Sequence, residues 1–190
     1  MVNIEHKHDE IAPHANEGDW YASLLQPLLA SLPPHTEMAV HGRAPNWVYG
    51  ALAMHAYPQP FHQFDGCIGW VQPRELKVGN PKQQCAEIMT LDDQELRDDV
   101  TIVHVHLTYY YVDYDTEADQ LVFPEPPADK GVIISGKLPL WLFTSLTRFY
   151  AQKHVPWIAL NDASDNRPIV VYSRVASHSI GQALPKLNVS

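Results

Sequence analysis

The feature that most constrains the fold of this chain is an internal repeat. The segment His41–Tyr49 reads HGRAPNWVY, and the later segment Ser135–Phe143 reads SGKLPLWLF. Glycine, a basic residue, proline, tryptophan and an aromatic residue fall at the same offsets in both, and an apolar run precedes each. Because internal repeats decide the architecture of a chain, the sequence predicts that a strand, a turn and a helix are used twice. Two copies in one chain predict an internal pseudo-dimer with a two-fold site between the copies.

The two copies also continue alike after their helices. Pro60–Phe61 is echoed by Pro156–Trp157, and Asp65 is echoed by Asp162. Strands that flank a helix in each copy predict an α/β or α+β fold with mixed sheets. The alternative is a pair of unrelated strand-to-helix turns, since glycine and proline punctuate most turns.

The pattern divides the chain into three parts. We expect a polar, mobile N-terminus over residues 1–18, a first repeat over residues 19–99 and a second repeat over residues 100–190. Within the first repeat, the acidic stretch from Asp92 to Asp99 is predicted to connect the two copies, or to be a solvated helical face.

Composition excludes several classes of function. The 190 residues carry a formal charge of −9, which argues against a protein that coats duplex nucleic acid by releasing counterions. An apolar run of the roughly 20 residues that a membrane helix needs is missing, and so is a signal peptide. Cys67 and Cys85 lack metal-ligand spacing. We therefore expect a soluble cytoplasmic protein with reduced thiols, no membrane partner and no duplex nucleic-acid partner.

Each repeated turn offers a place for a small anion. A glycine, one cation and a helix started by proline bring backbone N–H groups and positive charge together, which favours anionic ligands. The candidate ligand-binding residues are Gly42, Arg43, Ser135, Gly136 and Lys137. The alternative is that both glycines only let the strand turn into the helix and that the cations are solvated.

Two further pairs of side chains have two interpretations each. Trp47 and Trp141 are candidate stacking platforms for bases, although their place after the turn favours core positions facing the sheet. His104 and His106 share one face of a predicted strand and are a candidate ligand pair, while a solvent-facing strand is the simpler interpretation.

The second copy resembles the small CRISPR-associated ring nucleases of the Csx-three type. The segment Gly131–Leu142 follows the pattern VxISGRxPxWL of that family, and a strand at Pro156–Leu160, the Asp162 turn and the return strand at Ile169–Val171 come after it in the family's order. The resemblance covers residues 100–178, whereas the first copy matches only through its turn and the residues after that turn.

The resemblance implies an enzyme that linearises cyclic tetra-adenylate, the second messenger of type III CRISPR antiviral defence, and so switches that signal off. It implies Rossmann-like repeats related to the CARF ligand-binding domain, a ring held between subunits, and support by Mn²⁺. If one chain equals a dimer, we expect a homodimer that equals the family's four-lobed assembly. The family's catalytic histidine, aspartate and arginine are matched by His154, Asp162 and Arg167. Its last histidine is not matched, since Arg174 holds the nearest place and His178 comes later.

The chemistry of these residue types agrees with that activity. A ribonucleotide phosphodiester breaks when its own 2′-hydroxyl attacks, and histidine and arginine can move protons and stabilise the charge. Asp162 with His154 would suit Mn²⁺, with metal-independent cleavage as the alternative. In the first copy, His62 and Asp65 form the analogous pair.

Two other functions fit the same sequence. One is a non-catalytic module that binds cyclic oligoadenylate and holds it intact, which the missing last histidine favours. The other is a regulatory subunit that docks on another CRISPR-associated protein through its acidic surface.

Overall fold

The structure is a computed structural model that describes residues 1–14, 16, 19–80, 99–108 and 112–187 together with the backbone of residues 86–91. The helices are α1 (Ile4–Ile11), α2 (Leu25–Ala30), α3 (Asn46–Ala56) and α4 (Leu140–Gln152). The strands are β1 (Val2–Asn3), β2 (Met38–His41), β3 (Phe61–Asp65), β4 (Gly69–Val71), β5 (Lys77–Val78), β6 (Ala86–Leu91), β7 (Val100–Leu107), β8 (Val122–Phe123), β9 (Gly131–Gly136), β10 (Trp157–Asp162) and β11 (Arg167–Ser173).

The strands of the described residues form two larger sheets and one small one. The first sheet has the order β1-β2-β3-β4, in which β1, β2 and β3 are parallel and β4 returns antiparallel. The second has the order β11-β10-β9-β7-β6, with β7, β9 and β10 parallel and both edge strands antiparallel. Strands β5 and β8 pair separately. The predicted mixed α/β fold is therefore confirmed.

The two halves share the same order of elements. The series β2-α3-β3-β4 has the same parallel and antiparallel pairings as the series β9-α4-β10-β11. In both, a glycine with positive φ lies at the end of the first strand, at 110° for Gly42 and 135° for Gly136, and an extended proline caps the helix. The further interpretation of these halves as Rossmann-like repeats in a pseudo-dimer stays a prediction.

Both halves contribute to one core. A single cluster of buried apolar residues runs through helices α2, α3 and α4 and through the strands of both large sheets. Helix α3 lies close to β10 and α4 at Gly50, where an added Cβ would come within 2.6 Å of Leu160 and 3.3 Å of Thr147. The halves are therefore interlocked through side chains.

The structure departs from the predicted boundaries at two places. Strand β6 falls within residues 19–99 but pairs with β7, so it belongs to the sheet of the second half. Within the predicted mobile start, β1 pairs with β2 and α1 packs its Ile4 and His8 into the interior, because both side chains lie on one face of that helix. Residues 92–98 of the acidic stretch and residues 109–111 lie outside the described part.

The outer faces of the two sheets are covered differently. In the second half, a C-terminal segment places Leu184 and Leu187 against Trp157 and Val170, so that face is buried. In the first half, Phe64 and Trp70 remain 46% and 45% exposed on adjacent strands.

Among the described residues, none of the helices is both long and apolar enough to cross a membrane.

Candidate functional site

A cleft of about 510 Å³ opens at the carboxyl ends of the parallel strands β7, β9 and β10. Ligands in open α/β sheets bind outside the carboxyl ends of the strands, so this is the place where the fold favours a site. The cleft is lined by His104, Val105, His106, Leu107, Ser135, Gly136, Lys137, Asn161, Ala163 and Asn166.

The three second-copy residues predicted to bind a ligand through the turn all line this cleft. Ser135 ends the buried part of β9 at 3% exposure, and Lys137 is exposed. Gly136 is required between them, because a Cβ at its position would lie 2.2 Å from the carbonyl oxygen of Val105 and its φ of 135° disfavours other residues. The glycine thus lets the turn pass directly over β7.

A polar network crosses the floor of the cleft. The Ser135 hydroxyl lies 3.3 Å from Nδ1 of His104 and accepts a hydrogen bond of 3.4 Å from Nδ2 of Asn161. Asn161 also donates to Oδ1 of Asn166 at 2.8 Å, and Asn166 donates to the carbonyl of Leu187. Because three strands, the β10–β11 hairpin and the C-terminal segment supply these groups, the fold holds them in fixed relative positions.

His104 is held toward its neutral form. Partial burial lowers its pKa below the ordinary value, and the charge of His106 lowers it further. A neutral imidazole can accept a proton near pH 7. The alternation along the strand had indicated this pair in the sequence, whereas nothing in the sequence singled out Asn161 and Asn166.

Asp162 is held by the first half of the chain. Its Oδ2 accepts a hydrogen bond of 2.8 Å from Nε1 of Trp47 at the start of α3, and its Oδ1 accepts one of 2.9 Å from the Ser164 amide. Asn46 adds a bond of 3.1 Å to the carbonyl of Asn161. Partial burial acts to raise the pKa of Asp162, but the hydrogen bonds from Ser164 and Trp47 outweigh it and lower that pKa.

Arg167 is the next residue that was predicted to be catalytic. The two residues are partners across the β10–β11 ladder, so they begin and end the same hairpin. Nε of Arg167 lies 3.3 Å from Oδ2 of Asp165 without hydrogen-bond geometry. The hairpin therefore brings one carboxylate and one guanidinium to the carboxyl end of β10.

His154 lies at the other end of the same strand. It precedes β10, has a φ of 61° and is exposed, with Nδ1 3.1 Å from Nη1 of Arg174. At about 3.3 Å per residue, the six residues of β10 separate the two ends by roughly 17 Å. His154 and Asp162 of one chain therefore cannot bind one metal ion, and the described residues hold no group of three or more His, Cys, Asp or Glu side chains suited to a metal.

The strand registers identify the first-half counterpart of Asp162. Met38 is opposite Phe61 and Val132 is opposite Ile158, so the repeat aligns Asp65 with Asp162. Both aspartates accept a bond from the amide two residues on, which for Asp65 is 2.9 Å long.

The other predicted catalytic residues of the first half do not match. The same register puts Gly69 in the place of Arg167. Counting four residues back from the aligned Phe61 and Ile158 puts Tyr57 in the place of His154. His62 lies within β3, three residues before Asp65 and so on the opposite face of the strand, with Nε2 3.3 Å from Oε1 of Glu37. The structure does not bring His62 and Asp65 together.

In the first half, the turn that was predicted to bind an anion is bonded to a carboxylate of the same chain. The backbone N–H of Arg43 donates to Oε1 of Glu5 at 3.1 Å, and an added Cβ on Gly42 would meet Ile4 at 2.8 Å. Helix α1 thus packs directly on this turn and supplies a carboxylate to it. The equivalent turn at Lys137 borders the open cleft instead.

Trp47 and Trp141 are core residues. Each is only 1% exposed, so a base cannot stack on either, and their prediction as ligand-binding residues is not supported. Trp47 contacts the ring of Trp20 and bonds to Asp162, whereas Trp141 packs against Tyr114.

Comparison with known proteins finds a family similar to most of the second half of the chain. Residues 105–185 match the family model described as CRISPR-associated protein (Cas_csx3). No curated protein matches the chain. The matched residues contain the whole β9-α4-β10-β11 series and all of the cleft lining except His104. Over residues 105–185, this chain is therefore similar to the Csx3-type CRISPR-associated proteins.

Proposed function

We propose that this chain is a ring nuclease that binds cyclic oligoadenylate, above all cyclic tetra-adenylate, in the cleft and linearises it. The observation that carries the proposal is a coincidence of two findings. The residues that match the Csx3 family include all of the cleft lining except His104, and that lining includes Ala163 and Asn166 of the loop between Asp162 and Arg167. Such an enzyme switches off type III CRISPR antiviral signalling.

The turns support binding of phosphate groups. In the first half, the turn after the strand already holds a carboxylate through the Arg43 amide. The turn at Gly136 and Lys137 has the same sequence pattern and faces open space, so an anionic ligand can take the corresponding place. Lys137 adds a positive charge at the cleft, which favours a phosphodiester over a neutral ligand.

The hairpin supports stabilisation of charge during cleavage. When a 2′-hydroxyl attacks the adjacent phosphorus, negative charge builds up on the phosphoryl oxygens, and a guanidinium stabilises that charge. Arg167 is suited to this task. Ser164 and Trp47 keep Asp162 ionised, so a carboxylate belongs to the residue opposite Arg167 in the ladder.

Mn²⁺ does not fit the residues first assigned to it within one chain. Because His154 and Asp162 lie at opposite ends of β10, a shared ion would need two copies of the chain. No step of the proposed reaction therefore passes through a metal.

A homodimer is the assembly that we propose. His154 of one copy reaches the Asp162 hairpin of another only if the amino end of one sheet faces the carboxyl end of the next. Light scattering after size exclusion, with and without cyclic tetra-adenylate, tests this proposal, and a ligand-bound monomer would refute it.

The activity is tested by incubating the purified protein with labelled cyclic tetra-adenylate, with and without Mn²⁺. We expect linear tetra-adenylate or di-adenylate, and loss of this product in Asp162→Ala. Wild-type protein that neither binds nor converts the ring would refute the proposal.

A second candidate is a non-catalytic binding protein for the same messenger. The separation of His154 from Asp162 favours it, because the family's catalytic set is incomplete at the cleft. Tight binding with release of the intact ring would identify this function.

A further inference from the structure

Transfer of a proton at the cleft requires an acid–base group that lines it. His154, the histidine matched to the family, lies roughly 17 Å or more from the carboxyl end of β10. Among the described residues, the histidines that line the cleft are His104 and His106. An imidazole for the reaction in a single chain must therefore come from β7.

His104 is the better placed of the two. Its Nδ1 lies 3.3 Å from the Ser135 hydroxyl, which in turn accepts a bond from the buried amide of Asn161. These contacts fix one nitrogen and the plane of the ring, and they leave Nε2 for a ligand in the cleft. His106 is exposed, and no described contact orients its ring.

We propose that His104 is the general base, and then the general acid, for opening the ring in this cleft. The inference rests on the proposed function. Nε2 of His104 removes the proton of a ribose 2′-hydroxyl, the 2′-oxygen forms a bond to the adjacent phosphorus, and the bond from phosphorus to the 5′-oxygen breaks. The proton returns to that 5′-oxygen, so the products are a 2′,3′-cyclic phosphate and a free 5′-hydroxyl.

Ser135 and Asn161 are positioning residues in this scheme. Asn161 is 8% exposed, and its Nδ2 is shared between Ser135 and Asn166. Ser135 on β9 is bonded to Asn161 on β10, and His104 lies on β7. The register of these three strands therefore sets the angle of the imidazole. A rotated ring would no longer aim Nε2 at a bound ligand.

The test compares His104→Ala with His6→Ala, which changes an exposed histidine of α1 that does not line the cleft, using cyclic tetra-adenylate as the probe. General acid–base catalysis contributes about 10²–10⁴-fold, so we expect kcat to fall by that factor in His104→Ala with KM changed less than about threefold. Imidazole added to the solution should restore part of the activity of His104→Ala, because the cleft has room for it. His6→Ala should keep kcat within about threefold of the wild type.

The outcomes separate this inference from the proposed function. Wild-type cleavage together with normal kcat in His104→Ala would overturn the role of His104 and leave the ring nuclease in place. A loss of kcat without imidazole rescue, matched by a lowered melting temperature, would reduce His104 to a structural residue. His104→Gln, which keeps a polar group near Ser135, should retain the fold and remain inactive. Wild-type protein without any cleavage would overturn both proposals.

Discussion

The two halves of this chain have the same order of strands and helix but differ in the segments that pack on their turns. In the second half, the Gly136–Lys137 turn borders an open cleft. In the first half, α1 covers the corresponding turn, and Glu5 accepts a hydrogen bond from the Arg43 amide of that turn. The aspartate after the second parallel strand is present in both, but Arg167 has only Gly69 as its counterpart. A repeated order of elements thus does not by itself create two equal sites.

The first half still serves the site of the second. Helix α3 begins with Asn46 and Trp47, and both bond to the Asn161–Asp162 segment. The second half therefore forms the cleft, and the first half bonds to the strand end beside it.

The largest expected difference between the halves concerns their aspartates. Asp162→Asn removes the charge beside Arg167, and we expect at least about a 10²-fold loss of ring opening, in the range for an electrostatic or acid–base group. Asp65 lies opposite Gly69, so Asp65→Asn should keep the rate of ring opening within about threefold of the wild-type rate. Rates of linearisation of cyclic tetra-adenylate measure both, and equal losses would show two equivalent sites.

The two turn glycines should differ in their effect on stability. Gly136→Ala forces a Cβ to within 2.2 Å of a backbone oxygen at a φ of 135°, so we expect a loss above about 3 kcal/mol. Gly42→Ala meets the side chain of Ile4 at 2.8 Å, which can move, and should cost about 1–2 kcal/mol. Urea unfolding at pH 7 gives both values, and a greater loss in Gly42→Ala would contradict this ranking.

Substitution of the two tryptophans tests the hydrogen bond by which Trp47 of the first half holds Asp162 of the second. Trp47→Phe removes the donor to Asp162 and should lower stability by about 1–3 kcal/mol more than Trp141→Phe, because bonds to charged groups are the stronger ones. The pKa of Asp162 is lowered in the folded state. Its stabilisation is therefore present above the unfolded value of about 3.9 and is lost as the pH falls through the folded value.

The same pair of variants tests the direction of this pH dependence. The excess destabilisation of Trp47→Phe should be seen at pH 7 and should shrink as Asp162 becomes protonated in acid. Unfolding curves at several pH values between about 7 and 3 measure it, and an excess that grows toward low pH would refute the assigned bond.

The smallest effect is expected at the covered turn. Glu5→Gln weakens the contact to the Arg43 amide and should cost about 0.5–1.5 kcal/mol. Glu10→Gln, on the same helix but paired with Lys7 at the surface, should change stability by less than about 0.5 kcal/mol. If both variants behave alike in thermal unfolding, Glu5 does not fasten α1 to the turn.

Local patterns were sufficient to predict the second half in some detail. A helix directly after the second turn was predicted, and α4 runs there from Leu140 to Gln152, started by an extended proline. The cleft residues Ser135, Gly136 and Lys137 were predicted from the turn signature. Asp162 and Arg167 were predicted from the family resemblance, and the β10–β11 ladder brings them together.

Other features depended on contacts between distant segments. The polarity of residues 1–18 indicated mobility, but Ile4 and His8 become buried because β1 finds a parallel partner in β2. His154 and Asp162 formed a pair in the sequence pattern, yet an extended strand lies between them. Trp47 was open to a ligand role until α3 placed its indole on Asp162.

The sequence by itself determined the repeated strand, turn and helix, the mixed α/β class and the residues of the second turn, because glycine, proline and apolar periodicity act within a few residues. Only the tertiary structure decided which turn stays open and which histidine faces the cleft. Those outcomes depend on strand register and on the helix that covers each turn, and these are set by burial between segments far apart in the chain.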